Sequence, residues 1–432
     1  MTRLREAVLD RVGHGRAGRV ILVAALVGLV LRLVATAFLA RSPHGLYDPS
    51  RYIGYARGIA DGQGLVDPFV FHVTAYFPPG YPYLLGGLYW AARLVGLEGS
   101  FPIVVGVAQS FVGAAGVVLT GILGRRTVGA AAGAVGAAIV AVLPNLIVHA
   151  SVVLSETVAV TVMLAFLVLA WPEDPTTMSR GRALGAGAAL GVLLLVRPVT
   201  AGVLGAVVVG WLLARVPWRT VLVRTVLVAG IGLLCLAPWT IRNAIRMDAF
   251  VPLSTNTGDN LCMGHAPGSA GAFRYLAACE VEASITDGTA GEVEADQQRR
   301  ELALRHIRDD WGRQPRLVWL RLETTLGSDH DGIYASESYF EDLWLDEGVR
   351  NVIVRASDWS WAVVGVVGLV GVGRALWTRR PGPVVLVVIA AAVLAAPLLT
   401  FGDSRFKIPL VPVVALLAGW VVVDGVRAVR RS

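Results

Sequence analysis

The chain has 432 residues, of which 55% are hydrophobic and only 16% are charged. A soluble core does not need that much apolar sequence, so the composition excludes a soluble globular protein. It predicts an all-α polytopic membrane protein with the lipid bilayer as a partner. The net charge of +7 comes almost wholly from arginine, since Lys407 is the only lysine. Arginines at the ends of apolar runs report membrane orientation, so we expect no nucleic-acid partner.

Apolar runs of spanning or near-spanning length recur along the chain and predict about ten transmembrane helices. The runs lie at about 20–40, 101–123, 128–148, 152–171, 183–198, 199–214, 221–241, 359–377, 383–400 and 407–425. Their arginine-rich flanks place both termini inside the cell, and the first run is too long for a signal-peptide core. A shorter run at 80–97, rich in Tyr and Trp, predicts a re-entrant or surface helix. Counting it as a span gives eleven spans, and a total of eleven or twelve stays open.

Three regions follow from this pattern. We expect a catalytic transmembrane module at 1–242 with its first outer loop at 41–100, a long extracytoplasmic loop or lid at 243–357, and C-terminal transmembrane helices at 358–432. Within the long loop, the apolar spacing of 292–326 breaks at Pro315 and predicts two amphipathic helices lying on the bilayer. A small folded lid with a solvated basic face fits the same pattern. Cys262 and Cys279 share this loop, and whether they form a disulfide stays open.

The first outer loop carries the most informative stretch, in which Asp48, Arg51 and Tyr52 read D-x-x-R-Y. Asp48 followed by proline is a good helix start, because the carboxylate can accept from free backbone N–H groups. Tyr52 and the apolar residues after it share one helical face, and Gly62 can end the helix. The pattern predicts a short amphipathic helix on the membrane surface with an acid in its first turn.

Five polar pieces fall on the predicted outer side. They are the stretch 43–82, the turns at 155–156 and 197–198, the loop 243–357 and the turn 402–405. Ionisable residues at span ends are costly to bury and are therefore functional candidates. An acid among several cations suits one task, in which the acid takes a proton from a hydroxyl and the cations bind a departing phosphate. The candidates are Asp48, Arg51, Glu156, Arg197, Arg242, Asp403, Arg405 and Lys407.

Each candidate also has a structural explanation. Asp48 alone can serve as a helix cap, and Arg51 and Arg405 can extend to the interface without any functional role. Glu156 can pair with Arg197, and Asp403 with Arg405, as structural ion pairs. No nucleotide-binding, zinc-hydrolase or serine-hydrolase motif is present, and no ligand spacing links the histidines, so we predict neither a cofactor nor a metal site.

The ordered set of motifs resembles the GT-C membrane glycosyltransferases of the protein mannosyltransferase and aminoarabinose transferase type. The likeness rests on Asp48-x-x-Arg51-Tyr52, the F-P-P-G-Y-P stretch at 77–82, Ser155-Glu156, Arg197-Pro198, the P-W-T-I-R-N end of a span at 238–243, and D-S-R-F at 403–406. It implies a bundle of about 10 to 12 transmembrane helices with juxtamembrane helices on the outer face. It also implies a polyprenyl-phosphate sugar donor, inversion at the anomeric carbon and no bound metal.

Roles follow from the resemblance residue by residue. Asp48 corresponds to the general base. Arg51, Arg242 and Arg405 correspond to donor phosphate ligands, and Lys407 is added from its position in the sequence. The predicted substrate pocket comprises Tyr52, Tyr81, Glu156, Asn243 and Asp403. Related transferases often have lysine where this chain has Phe77, which leaves that phosphate contact unsupported.

The resulting hypothesis is an inverting glycosyltransferase that moves a sugar from a polyprenyl phosphate to a hydroxyl acceptor on a cell-envelope glycan, lipid or protein. The arginine-rich, lysine-poor composition suggests a bacterial plasma membrane, with the active site on the extracytoplasmic side. The main alternative is a lipid-linked sugar transporter or flippase, in which the same residues bind without reacting. Polar residues at one membrane face, and no visible inverted repeat, argue against it. A non-catalytic membrane scaffold is a third interpretation.

Overall fold

The computed structural model describes residues 15–283 and 288–430, and its ordered segments are helices joined by short loops. Seventeen α-helices are present in this part of the chain. They are α1 (Arg16–Leu39), α2 (Asp48–Ala60), α3 (Gly80–Leu94), α4 (Phe101–Thr127), α5 (Ala130–Val142), α6 (Pro144–His149), α7 (Glu156–Ala170), α8 (Arg180–Val196), α9 (Gly202–Leu213), α10 (Trp218–Met247), α11 (Thr257–His265), α12 (Gly288–Asp309), α13 (Gln314–Leu326), α14 (Asp331–Ser336), α15 (Glu347–Thr378), α16 (Pro381–Leu399) and α17 (Val411–Val429).

All ten predicted apolar runs form helices. Within the described residues, six helical segments are long and apolar enough to cross a membrane, at 16–39, 98–127, 218–247, 347–378, 381–399 and 404–429. Three shorter apolar segments lie at 130–142, 156–170 and 198–213, and α8 accounts for the remaining run. The prediction of an all-α, multi-pass membrane protein is confirmed. The orientation of the helices in the bilayer stays a prediction.

A helix break at Pro144 explains why the run at 128–148 forms two helices. Leu143 is extended, and Pro144 has no backbone N–H to continue the hydrogen-bond ladder of α5. The guanidinium of the buried Arg32 on α1 donates to the carbonyls of Val140 and Ala141 at the end of α5. An intramembrane arginine therefore satisfies carbonyls that the break leaves without helical partners.

The run at 80–97 forms α3, which packs against α2 and is not among the segments with span-like composition. The two helices lie so close that a Cβ at Gly86 would sit 2.4 Å from Ile59. A glycine is needed there because any larger residue would push the pair apart. The contact holds α2, and with it the D-x-x-R-Y stretch, on the bundle.

The segment 292–326 contains the two predicted helices, α12 and α13. The break falls at 310–313, and Pro315 lies in the first turn of α13, where its missing N–H costs nothing. Helix α12 packs on α11, and a small core forms around Cys262, Ala266, Cys279 and Ala303. Cys262 and Cys279 form a disulfide, which answers the question that the sequence left open. The long loop is therefore folded on itself, as in the lid interpretation.

Candidate functional site

All five predicted outer pieces line one cavity of about 590 Å³ at one end of the bundle. The stretch 43–82 contributes residues 45–48, 51–52 and 76–78, and the two turns contribute 154–156 and 196–199. The long loop contributes Asn256, Asn260, Met263, Phe273, Tyr275 and Glu341, and the last turn contributes Phe401, Arg405 and Phe406. Segments separated by up to about 350 residues of sequence thus meet at the charged groups that the sequence singled out.

Asp48 is the first residue of α2, but it does not cap the helix. Tyr47 occupies the cap position, and no side chain accepts from the free N–H groups of the first turn. The carboxylate instead accepts a hydrogen bond from Arg405, with 2.6 Å between Nη1 and Oδ2. The interpretation of Asp48 as a cap alone is therefore wrong, because its side chain faces the cavity and pairs with a residue far along the chain.

Arg405 lies between two carboxylates. Besides Asp48, it contacts Asp403, whose Oδ2 is 3.2 Å from Nε and whose Oδ1 accepts from the backbone N–H of Arg405 at 3.0 Å. The local Asp403–Arg405 ion pair is thus present, and Arg405 is a cross-link between two distant segments. Burial raises the pKa of the Asp403 carboxyl, Arg405 opposes that rise, and Asp331 and Glu156 reinforce it. Asp403 is therefore protonated, and neutral, at a higher pH than an ordinary aspartate.

Glu156 and Arg197 form the predicted ion pair at the cavity wall, with 2.5 Å between Oε1 and Nη1. Both side chains are largely buried, and Oε2 of Glu156 has no hydrogen-bond partner among the described residues. The ring of Phe406 lies near two guanidinium groups, 5.3 Å from Arg197 and 5.6 Å from Arg405. An aromatic ring attracts both cations, so it stabilises two like charges at the same cavity.

Arg51 lines the cavity one turn after Asp48 and pairs with Asp67, which the sequence analysis did not single out. Nη1 of Arg51 lies 2.6 Å from Oδ2 of Asp67, and that carboxylate is fully buried. It also accepts from the phenol of Tyr55 and from the backbone N–H groups of Phe69 and Val70. Asp67 lies before a proline in a turn, a pattern that gave no signal of an ion pair.

Tyr52 and Tyr81 are in contact, but only Tyr52 reaches the cavity. Their rings meet edge to face at 4.8 Å, and the phenol of Tyr81 donates to Gln109 at 3.1 Å from within the core. Burial raises the pKa of the Tyr52 phenol, and Asp48 and Glu156 add to that rise. Tyr81 therefore supports Tyr52 from behind, and Tyr52 stays a neutral phenol beside the two acids.

Arg242 and Asn243 are not brought into the cavity. The guanidinium of Arg242 donates to the carbonyls of Thr74 at 2.9 Å and Leu65 at 3.0 Å. The amide of Asn243 is buried and donates to the carbonyl of Val251 at 2.9 Å. The contacts of Arg242 tie the end of α10 to the first outer loop, whereas Asn243 stabilises the turn that follows α10.

Lys407 belongs to a buried cluster beside the cavity. Its ammonium group donates to the carbonyls of Ser328 and Ser404 and lies 3.0 Å from Asp329. Asn145 bridges Asp329 and Asp331, and Asp331 pairs with His149 at 2.7 Å. Burial raises the pKa of Asp329 to about 6 against the opposing effect of Lys407. Burial would also raise the pKa of Asp331, but His149 lowers it well below its usual range.

No group of three or more His, Cys, Asp or Glu side chains within 15–283 and 288–430 is arranged to hold a metal ion. The polar groups that line the described cavity are carboxylates, guanidinium groups, phenols and amides.

No family model matches the sequence, and no curated protein matches it. Solved structures do match. The oligosaccharyltransferase AglB from Archaeoglobus fulgidus, in complex with an inhibitory peptide and a dolichol-phosphate, superposes with a TM-score of 0.54 at 15% identity and covers 96% of this chain. Its apo form gives a TM-score of 0.56 at 15% identity and the same coverage. This chain spans 51% of the length of AglB.

ArnT from Cupriavidus metallidurans bound to undecaprenyl phosphate is a more distant match, with a TM-score of 0.43 and 18% identity over 93% of this chain and 77% of that one. The superposition on AglB, together with the order of helices, confirms the predicted fold. The chain has the GT-C fold of membrane glycosyltransferases.

Proposed function

We propose that the protein is an inverting glycosyltransferase that moves a sugar from a polyprenyl-phosphate donor to a hydroxyl acceptor at the outer face of the membrane. One observation carries the proposal. Five polar segments that are distant in sequence converge on one cavity that contains Asp48, Glu156, Arg51, Arg197 and Arg405. A membrane scaffold has no need for this arrangement, because burying charged side chains costs free energy and is usually retained only where the charges serve a function.

The three arginines are the proposed ligands of the donor phosphate. Each is already paired with a carboxylate, but a guanidinium carries five N–H donors, and pairing does not exhaust them. The described hydrogen bond of the Arg405 guanidinium comes from Nη1, to Asp48; Nε lies 3.2 Å from Asp403 without a hydrogen bond, and we assign Nη2 to a phosphate oxygen. Arg197 is added to Arg51 and Arg405 as a proposed phosphate ligand because it lines the cavity. Arg242 and Lys407 are not proposed as phosphate ligands, since carbonyl groups and the buried Asp329 already accept from their donors.

Asp48 is the proposed general base. It accepts the proton of the acceptor hydroxyl while that oxygen attacks the anomeric carbon from the side opposite the phosphate. The bond from the anomeric carbon to the phosphate oxygen breaks, its electron pair leaves with the phosphate, and the new glycosidic bond forms with inverted configuration. Arg405 holds Oδ2 of Asp48, and it would lie next to the negative charge that develops on the leaving phosphate.

The donor and the acceptor are proposed to approach from different sides. Arg197 and Arg405 lie at the ends of membrane helices, where a lipid phosphate resides, and Arg51 lies in the short helix α2. The long loop contributes Asn256, Asn260, Phe273 and Tyr275 to the same cavity, a mixture of amides and aromatic rings that suits a polar acceptor arriving from outside. The dolichol-phosphate and the peptide bound to AglB support a lipid-linked donor and a separate acceptor for this fold.

The test is transfer from a panel of radiolabelled polyprenyl-phosphate sugars, using membranes that contain the wild-type protein or Asp48→Ala. We expect label to reach an acceptor in the membrane fraction only with the wild-type protein. Label that crosses the bilayer chemically unchanged, equally in both samples, would replace the proposal with a flippase. A matched control is Asp61→Ala, which removes an exposed aspartate at the other end of α2 that pairs with Arg93.

A further inference from the structure

An unusual backbone segment lies next to the site. Ser338, Tyr339 and Phe340 are three consecutive residues with positive φ, at 50°, 53° and 78°. Non-glycine residues rarely adopt this left-handed region singly, and a run of three is costly unless the surroundings hold it in place. We call this segment the left-handed turn.

The left-handed turn is held at its base by a buried ion pair. Glu337 is fully buried, and its carboxylate accepts two hydrogen bonds from Arg350, at 2.6 and 2.7 Å. The backbone N–H of Leu345 donates to the same carboxylate at 3.2 Å. The carbonyl of Glu337 accepts from Phe340 and Asp342, both at 3.1 Å. A bidentate pair of this kind is geometrically specific, so it can fix a strained loop that would otherwise relax.

The other side of the turn contacts the residues that lead into Asp48. The hydroxyl of Ser338 accepts from the backbone N–H of His44 at 2.8 Å, and Asp342 lies 3.2 Å from the ring of His44. The ring centroids of Tyr339 and Tyr47 lie 4.9 Å apart, with the rings tilted by 46°. Tyr47 immediately precedes Asp48, and its carbonyl accepts from the N–H groups of Ser50 and Arg51. The position of Tyr47 therefore sets the position of the first turn of α2.

The phenol of Tyr339 also lies within the electrostatic field of the site. Burial raises its pKa well above the ordinary value, and Arg405, Asp48 and Asp403 are the charged groups that act on it most strongly. Tyr339 thus contacts the ring of Tyr47 and lies near enough to Asp48 and Arg405 to interact with both charges.

We infer that the left-handed turn positions the catalytic base: Glu337 and Arg350 hold the turn, and Tyr339 holds Tyr47 and Asp48 at the place where Arg405 meets the carboxylate. Glu337, Arg350 and Tyr339 are positioning residues, since they act through Asp48. The inference rests on the proposed function and adds the device that keeps the base in place.

The inference is tested at Phe340, whose side chain is 56% exposed and does not line the cavity. Proline cannot adopt a positive φ and also restricts the residue before it, so Phe340→Pro forces Tyr339 out of the turn. Glycine adopts the observed φ freely, so Phe340→Gly keeps the turn. Both variants lose the ring contact with Tyr334, so the pair differs only in the backbone at 340: proline excludes the observed φ and lacks the N–H that donates to the carbonyl of Glu337.

Transfer kinetics of purified protein in nanodiscs give the answer. We expect Phe340→Pro to lose kcat on the order of 100-fold, the scale of a catalytic group misplaced by about 1 Å, with an unchanged KM for the donor. Phe340→Gly should stay close to wild type. Equal kcat for the two variants overturns the inference. Inactivity of the wild-type protein with every donor overturns the proposed function instead.

A folding defect in Phe340→Pro is detected by the loss of a cooperative unfolding transition in tryptophan fluorescence. In that case Glu337→Gln carries the test, because it keeps the side-chain shape and removes the charge that binds Arg350. A fall in kcat with an unchanged donor KM supports the inference, and an unchanged kcat overturns it.

Discussion

The two ends of α7 use arginine in different ways. At its first residue, Glu156 pairs with Arg197 beside the cavity. At its last turn, Arg126 and Arg182 both donate to the carbonyl of Val168, and the indole of Trp211 donates to the carbonyl of Ala170. Negative charge at a helix start and positive charge at its end are both favourable. The first arrangement lies at the cavity that also contains Asp48 and Arg405, whereas Arg126 at the other end lines a separate cavity of about 490 Å³ without those residues.

The comparison separates two classes of arginine in the molecule. Those that donate to backbone carbonyls satisfy helix ends and loops, as Arg32, Arg224 and Arg242 do. Those that pair with carboxylates at the cavity, Arg197 and Arg405, keep donors for a ligand. Substitutions in the first class should reduce stability, and substitutions in the second should reduce transfer. The predictions below follow from that division.

The largest effect is expected for Asp48→Asn. An amide cannot accept the proton of the acceptor hydroxyl, so kcat should fall by about 10²- to 10⁴-fold, the usual contribution of a general base. The unfolding temperature should change little, because the carboxylate is partly exposed in the cavity. Steady-state transfer with Asp61→Asn as control checks this prediction, and a kcat near wild type in Asp48→Asn would remove Asp48 from the mechanism.

Arg405→Gln should come next. Losing one donor to the developing phosphate charge costs about 3 kcal/mol in the transition state, which is on the order of 100-fold in kcat/KM. Arg405→Lys should recover part of the loss because the charge remains, although a single ammonium cannot replace the planar fork. The measurement is kcat/KM for the donor. Equal loss in the Gln and Lys variants would show that charge is not what Arg405 supplies.

The buried cluster around Lys407 predicts a pH dependence of stability. The pKa of Asp329 is raised in the folded state to about 6 from 3.8, so folding favours its protonated form. The stability that the protonated Asp329 contributes to the folded state is fully present below pH 3.8 and is lost as pH rises through about 6. Compared with Asp329→Asn, the wild-type protein should gain about 2 to 3 kcal/mol of stability between pH 7 and pH 4.

Matched unfolding curves of the two proteins at each pH test this. Asp331 has a lowered pKa, so its contribution to stability is lost only as pH falls below its ordinary pKa of 3.8, and the range from pH 7 to pH 4 keeps that loss small. A difference that stays constant from pH 7 to pH 4 would contradict the assignment.

The smallest effect on transfer is expected for Arg224→Gln. Its guanidinium donates to the carbonyls of Pro175 at 2.6 Å and Thr176 at 2.9 Å, far from the cavity residues. Losing these bonds should lower the free energy of unfolding by about 2 kcal/mol. Transfer per folded molecule should be unchanged. A drop in kcat without a drop in stability would contradict the division between arginines that stabilise the fold and arginines that act in transfer.

The sequence predicted the fold well because its signals are local. Apolar runs and the helix start at Asp48 follow from composition and spacing, and each appears in the structure within a few residues. The five polar pieces were also predicted to share one face, since the order of spans requires it. The disulfide could not be decided, because pairing depends on how the loop folds around Cys262 and Cys279.

The sequence could not distinguish the two classes of arginine. Arg242 and Lys407 were predicted to bind phosphate because both lie at span ends, yet their donors are used by carbonyls or by Asp329. Arg197 was a functional candidate that the sequence did not predict to bind phosphate, although it lines the cavity. Asp67 and the left-handed turn at 338–340 gave no signal at all, because their partners are distant in sequence and three positive φ angles have no residue signature outside glycine.

The most direct test of the account is the anomeric configuration of the product, measured by NMR with a donor labelled at the anomeric carbon. If Asp48 acts as a base in a single displacement, the anomeric configuration of the product is inverted relative to the donor, and this is the result we predict. A product with retained configuration would contradict it, since retention requires two displacements and a carboxylate, Asp48 or Glu156, that bonds to the sugar.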